Sequence, residues 1–280
     1  MRQTLRLAVA LPFAMAAGLL AGPATAHAAI DWAPAKSASI HPGVQTHTNG
    51  AQCTSNFVFS DGTNVYLGQA AHCSSTSSTT TTNGCEAASR PLGTKVDIEG
   101  ASKPGVMVYN SWLAMQKSGE TNANACMYDD LALVRINAAD VADVNPTIPF
   151  WGGPEGLNTT GTRTGETVYS YGNSELRLGL SPLGPKRGVS AGDAGGGWSH
   201  TAYTVTPGIP GDSGSAFLDA QGRALGILST LDVLPKVGSN GVGDLAHELA
   251  YMHGHSSFGD VHLVNGTEAF NGSPLAGLLG

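Results

Sequence analysis

Glycine punctuation constrains this chain more than any other feature. Its 280 residues include 38 glycines spread along most of the length. Between them stand short runs rich in Val, Tyr, Phe, Leu and Thr, the pattern of brief strands joined by turns. Strand-like runs fall at residues 56–60, 64–67, 94–98, 106–109 and 131–136 in the first half. In the second half they fall at 167–171, 176–180, 201–206, 215–218, 224–229 and 261–264. Residues 191–197 are too rich in glycine to predict a regular element, and 74–82, almost pure Ser and Thr, reads as a surface loop. Helical spacing stands out once, at 242–252, where Leu245, Leu249 and Met252 share a face and Asp244 sits in the first turn. A Pro- and Gly-rich stretch, 145–158, separates the halves. The expectation is an all-β chain of two packed antiparallel barrels with one late α-helix: 51–150 forms the first, 151–280 the second, and 29–50 is a lead-in segment.

The amino-terminal residues read as an address. Arg2 and Arg6 precede an apolar stretch from Leu7 to Leu20, and small-x-small sites follow, ending at Ala26 and Ala28. This is the layout of a secretory signal peptide over 1–28, with cleavage expected after Ala28 and Ala26 as the alternative. No later run approaches the roughly 20 apolar residues a bilayer-spanning helix needs, so no membrane insertion is expected. Without Arg2 and Arg6 the 14 basic residues fall to 12 against 21 acidic ones, a balance of −9. An acidic chain without a basic patch argues against nucleic acid as a partner. Export makes disulfides the default fate of the four cysteines. Cys53 and Cys73 flank a hairpin-like stretch and are paired on that ground, leaving Cys85 with Cys126. Each bridge stabilises by about 3 kcal/mol on the loop-entropy estimate. No Cys-x-x-Cys is present, which excludes the usual thiolate zinc site.

The chemistry concentrates in three short segments. Gly211-Asp212-Ser213-Gly214-Ser215 places a serine between glycines, after a Pro-rich turn and before the apolar strand 216–218. Glycines there let a carbonyl approach closely and let the Gly211 and Ser213 N–H groups converge on one spot, as an oxyanion requires. A serine hydroxyl needs a base, and His72 ends a strand beside Cys73. The base needs an orienting carboxylate, and Asp130 directly precedes the apolar run Leu131-Ala132-Leu133-Val134. Asp129 competes with Asp130. Adjacent strand side chains face opposite ways, so only one can meet His72, and Asp129 is expected to face solvent or a loop.

The order His72, Asp130, Ser213, with the surrounding Ala-Ala-His-Cys, Asp-Leu-Ala-Leu and Gly-Asp-Ser-Gly segments, resembles the chymotrypsin-like (trypsin-type) serine endopeptidases, in particular the secreted bacterial members. The resemblance spans roughly residues 40–280. It implies two six-stranded barrels, a polypeptide substrate, no cofactor and a monomer. It makes His72 the general base, Asp130 its orienting acid, Ser213 the nucleophile, and the Gly211 and Ser213 N–H groups the oxyanion hole. It matches the Cys53–Cys73 bridge and assigns Ser229 the support of Asp130. The specificity pocket is carried onto Pro207, Thr230 and Leu231. Pro207 stands where trypsin-type members have a carboxylate, so a small or apolar substrate side chain is expected. No Ile-Val-Gly-Gly activation site precedes the first barrel, so Asp212 needs a donor other than a new amino terminus.

His247, Glu248, His253 and His255 lack the spacing of a zinc-protease helix, so no metal is expected. The triplets at Asn158, Asn265 and Asn271 match glycosylation acceptors and receive no role. A catalytically silent binding protein on the same scaffold, or an esterase with the same triad, remains the alternative to a peptidase.

Overall fold

A computed structural model of the chain describes residues 30–77, 83–232 and 238–273. The expected leader, 1–28, lies outside the described residues. The first half holds β1 (Gln45–Thr48), β2 (Ala51–Thr54), β3 (Val58–Ser60), β4 (Val65–Ala70), β5 (Lys95–Ile98) and β6 (Gly105–Asn110). Two short helices, α1 (Ser111–Ser118) and α2 (Ala123–Tyr128), lead into β7 (Leu131–Arg135). The second half holds β8 (Thr167–Tyr171), β9 (Pro185–Ala194), β10 (Ser199–Thr204), β11 (Ala216–Leu218), β12 (Ala224–Asp232) and β13 (Ser239–Asp244). Helix α3 (Leu245–His255) and the two-residue β14 (His262–Leu263) follow.

The strands form two antiparallel sheets. The second is a closed six-stranded barrel, ordered β10-β13-β12-β11-β8-β9. The first has eight strands in the order β14-β3-β4-β7-β6-β5-β1-β2. Its count exceeds six for two local reasons. β2 and β3 are one extended run bent at Ser55, Asn56 and Phe57. Across the bend the pairing passes from one neighbour to another, because the Ser55 N–H donates to the Val44 carbonyl and the Asn56 N–H to that of Gly68, both at 2.9 Å. The sheet therefore curls back on itself, and β14 adds to the outer edge of β3.

Packing explains the unbroken apolar runs. Along β4 and β7 successive residues serve different cores. Val65, Leu67, Ala132 and Val134 fill the inside of the first sheet with Ile40, Val96 and Met107. Tyr66, Leu131 and Leu133 face the other way, into a core shared with Tyr169, Leu218 and Ile227 of the second barrel. Strands buried on both faces need no polar alternation. Leu245, Leu249 and Met252 of α3 enter that shared core, which seats the helix behind β7. The second barrel encloses Val168, Ala202, Phe217, Leu225, Leu228 and Val242.

Within 29–50, read as a tail or a lead-in strand, residues 45–48 do form a strand, β1, held between β2 and β5. Several expectations need correction. Residues 176–180 are not a strand: Glu175–Arg177 is a 3-10 turn capped by the Ser174 side chain. Part of the glycine-rich 191–197 is the end of β9, paired with β10 across a register shift that absorbs the irregularity. The late helix begins at Leu245, since Val242 and Gly243 belong to β13; the Asp244 side chain caps it by accepting the His247 N–H. Helices α1 and α2 had no counterpart in the sequence reading. α1 runs from an Asn110 cap to Gly119, whose φ of +67° ends it, and it buries Trp112 and Met115.

Candidate active site

The site forms where the exit of β4 meets the turn before β11. β4 delivers His72 on a 3-10 turn, Ala71–Ser74. Three contacts fix that turn. Cys73 is bridged to Cys53 on β2, the Ala71 N–H donates to the Asp130 carbonyl at 2.6 Å, and the Asn110 amide donates to the Ala71 carbonyl at 3.1 Å. The second bridge joins Cys85 to Cys126 on α2. Both are the pairings expected from the sequence.

Asp130 lies at the start of β7 and is buried. Its carboxylate accepts the His72 backbone N–H at 2.9 Å and meets the His72 ring at Nδ1 at 2.7 Å. The Ser229 hydroxyl, from β12 of the other barrel, donates to the same carboxylate at 2.6 Å. Burial works to lower the pKa of His72. The charge and hydrogen bond of Asp130 outweigh it and hold the imidazole above its ordinary value. The His72 side chain keeps 26 % of its surface open. Asp129, expected to meet solvent or a loop, is instead buried, because Glu248 of α3 lies close to it.

The serine turn is built by two glycines with left-handed backbone, Gly211 at φ +94° and Gly214 at φ +87°. It is pressed against the first sheet. The Thr54 N–H donates to the Ser213 carbonyl at 2.8 Å, and the Thr54 hydroxyl and Gln52 amide both donate to the Gly211 carbonyl, at 2.8 and 3.0 Å. A Cβ on Gly214 would sit 2.5 Å from the Thr54 carbonyl and 2.9 Å from the Ala70 nitrogen. Only glycine lets Ser213 come this close to the strand that carries His72. Among the described residues the N–H groups of Gly211 and Ser213 have no intramolecular acceptor, which leaves them available to a ligand.

Asp212, beside the serine, is fully buried. It forms ion pairs with Lys186 of β9 and with Arg177 of the 3-10 turn. It also accepts the N–H groups of Ile209 at 3.1 Å and Ser174 at 3.2 Å. Burial would raise the pKa of its carboxyl, but the Arg177 hydrogen bond and the Lys186 charge hold it below the ordinary range. Burial also pulls the Lys186 amine below its usual value, against the opposing pull of Asp212. The donor that Asp212 needs is thus supplied from within the chain.

The three pocket positions differ in character. Pro207 is exposed, and its carbonyl lies 3.4 Å from the Lys186 amine. Thr230 is half-buried beside Gly241, where a Cβ would come 2.2 Å from its hydroxyl. Leu231 pairs with Asn240 through its backbone; its side chain lies outside the described residues. Sequence reasoning missed Asn240, which is fully buried, accepts the Gly208 N–H at 2.8 Å and donates to the Ala202 carbonyl at 3.1 Å. Its amide places a neutral polar group behind residue 208. Cys53, His72 and Cys73 have potential metal-ligand atoms within 4.8 Å of one another, but both sulfurs are joined in the bridge and neither is a thiolate.

No family model and no curated protein matches the sequence. Solved structures do. Protease A of Thermobifida fusca superposes with a TM-score of 0.51 at 20 % identity, over 81 % of this chain and 99 % of that one. A Glu endopeptidase gives a TM-score of 0.50 at 16 % identity, over 78 % of this chain and 90 % of that one. With two antiparallel sheets, one of them closed into a six-stranded barrel, these likenesses show the chymotrypsin-like fold.

Proposed function

We propose that the chain is a secreted serine endopeptidase that hydrolyses peptide bonds through an acyl-enzyme. One observation carries the reading: a buried Asp130 bonded to His72 Nδ1 at 2.7 Å, supported across the barrel interface by Ser229, beside a glycine-flanked serine. Binding alone does not call for that arrangement. Asp130 holds the imidazole with its Nδ1–H donating to the carboxylate, which leaves Nε2 unprotonated as a base. His72 takes the Ser213 proton as Oγ attacks the substrate carbonyl. The Gly211 and Ser213 N–H groups donate to the oxyanion that develops. His72 then returns the proton to the leaving amine, and a water activated by the same imidazole releases the acid.

The ion pairs at Asp212 support a turn that needs no newly cut amino terminus. The leader pattern and two disulfides support export. A Pro at 207 and the Asn240 amide behind Gly208 support an uncharged substrate side chain in the pocket. A fluorophosphonate tests the nucleophile: one adduct is expected, mapping to the peptide that contains Ser213. Absence of labelling would favour the silent binding protein, and an adduct elsewhere would remove the Ser213 assignment. Parallel peptide and ester libraries then separate peptidase from esterase, with faster turnover of peptides expected.

A further inference from the structure

Behind Asp130, on the side away from His72, lie two acids that peptide hydrolysis does not use. Glu248 of α3 is 0 % exposed and Asp129 is 1 % exposed. Glu248 Oε1 accepts the backbone N–H of Asp130 at 3.1 Å. Its Oε2 and both carboxyl oxygens of Asp129 have no hydrogen-bond partner among the described residues, and neither has the buried Tyr109 hydroxyl. The nearby Ser111 hydroxyl donates instead to the main-chain carbonyl of Asp129 at 3.0 Å.

Charge balance around the pair is unfavourable to ionisation. Glu248 faces Asp129, Asp130 and Asp244, while Asp129 also feels Asp130 and Glu120. The phenols of Tyr109 and Tyr251 complete the surroundings. Of the neighbouring acids, Asp130 has His72, and Asp244 has His200 and His247. Among the described residues none is left for Glu248 or Asp129. The β13 main chain is packed on the Glu248 carboxyl so closely that a Cβ at Gly243 would lie 2.5 Å from Oε1. Unpaired carboxylates cannot be held ionised in such a place without a large desolvation cost, and they take up protons instead. Burial accordingly pushes both acids well above the carboxylate range.

We propose that Glu248 is a positioning residue of the triad: together with Asp129 it forms an uncharged, proton-holding acid pair that anchors the Asp130 main chain without adding negative charge behind it. Seating the anchor on α3 ties the orienting acid to the helix that enters the core shared by the first sheet and the second barrel. An ionised Glu248 would instead add a second negative charge near His72 and raise the pH at which the imidazole becomes a free base.

The inference rests on the triad reading, and the experiment keeps the two apart. Wild type, Glu248→Gln and Glu248→Leu are compared by infrared difference spectroscopy at neutral pH and by the pH dependence of fluorophosphonate labelling. The expected spectrum loses a protonated carboxylic-acid C=O stretch on Glu248→Gln. Glu248→Leu, which removes the acceptor for the Asp130 N–H, is expected to label about fivefold to tenfold more slowly. Glu248→Gln keeps an oxygen acceptor and is expected to recover most of that rate, with the midpoint of the acid limb where the wild type has it. Loss of an ionised carboxylate band, an acid-limb midpoint that falls in Glu248→Gln, or wild-type labelling by Glu248→Leu would each overturn the proposal. So would a metal ion that survives dialysis in the wild type and is missing from Glu248→Gln, since it would take the proton's place. If Glu248→Leu fails to fold, the infrared band and the Gln midpoint still decide. Failure of the wild type to label at Ser213 counts against the triad and leaves the infrared result readable.

Discussion

Replacing Lys186 with Met isolates the buried charge cluster at Asp212. Lys186 and Asp212 side chains are 1 % and 0 % exposed, and Arg177 keeps only 9 %. Met is close to Lys in volume and flexible enough to fill the vacated space, so a cavity contributes little. What is lost is half of the positive charge facing one buried carboxylate. Removing one partner of a buried pair costs about 3–5 kcal/mol. Arg177 and the N–H groups of Ile209 and Ser174 remain on Asp212, which places the expected cost near the lower end, about 3 kcal/mol. For a chain of this size that corresponds to a fall in Tm of roughly 6–12 °C. Asp212 adjoins Ser213, so Lys186→Met is also expected to slow fluorophosphonate labelling more than the loss of folded protein explains. Calorimetric melts of wild type, Lys186→Met, Asp212→Asn and the double variant form the assay. In the double variant the two costs are expected to fall short of additivity by about 1–3 kcal/mol, because Asn leaves no charge for Lys186 to balance. The pH dependence has a definite sign. A depressed Asp212 contributes stability that is fully present above the ordinary carboxylate range and is lost as pH falls through its folded value. The gap between wild type and Asp212→Asn therefore closes in acid. Lys186→Met melting with the wild type, or strict additivity in the cycle, would refute the reasoning.

Three further outcomes follow from the same geometry. Asp130→Asn is expected to cut kcat/KM roughly 10⁴-fold by favouring the wrong imidazole tautomer, whereas Asp129→Asn, one uncharged group for another, should change it only slightly; the reverse result in steady-state assays would move the acid by one residue. His72, held above its ordinary value by Asp130, should give wild-type kcat/KM an acid limb centred above that of a free imidazole, and Asp130→Asn, which leaves burial unopposed, should shift the imidazole titration downward by NMR. Replacing both Cys53 and Cys73 with Ser, which opens a loop between cysteines 20 positions apart, should cost about 3 kcal/mol in denaturant unfolding, since the bridge limits the unfolded chain.

The sequence was most readable where a short segment carries its own geometry. Gly211 and Gly214 announce a tight turn around Ser213, and Leu131 to Val134 announce a buried run, so the strand, the turn and the likeness among the motifs were visible together. Boundaries failed where local composition and tertiary pairing disagree. β9 carries Gly188 and Gly192 and little apolar periodicity, yet it closes the barrel because β8 and β10 supply partners on both sides. The bounds of β1 were hidden in a polar lead-in because only alternate residues, Thr46 and Thr48, face inward, and both are polar. Helix α1 is only eight residues long, too short for its spacing to rise above the background, although Asn110 and Gly119 were its caps.

The partners of buried charges were the least legible part, for a topological reason. Arg177 lies 35 positions before Asp212 in the chain, and Glu248 lies 118 positions after Asp130. No spacing rule links residues at such distances; only closure of the second barrel and docking of α3 bring them together. Glu248 itself stood in a cluster of His and Glu that invited a metal reading, and the missing zinc spacing removed that reading without supplying another. The structure separates the cluster by function of place. His247 pairs with the Asp244 cap, His253 meets the Val261 carbonyl, His255 stacks on Tyr251, and Glu248 alone turns inward to the main chain of Asp130. A carboxyl on an otherwise apolar helix face, beside Leu245 and Leu249, costs stability wherever it goes unpaired. Its inward position therefore makes physical sense as the uncharged acid that holds Asp130, and as an ionised group it would oppose the same core that α3 helps to build.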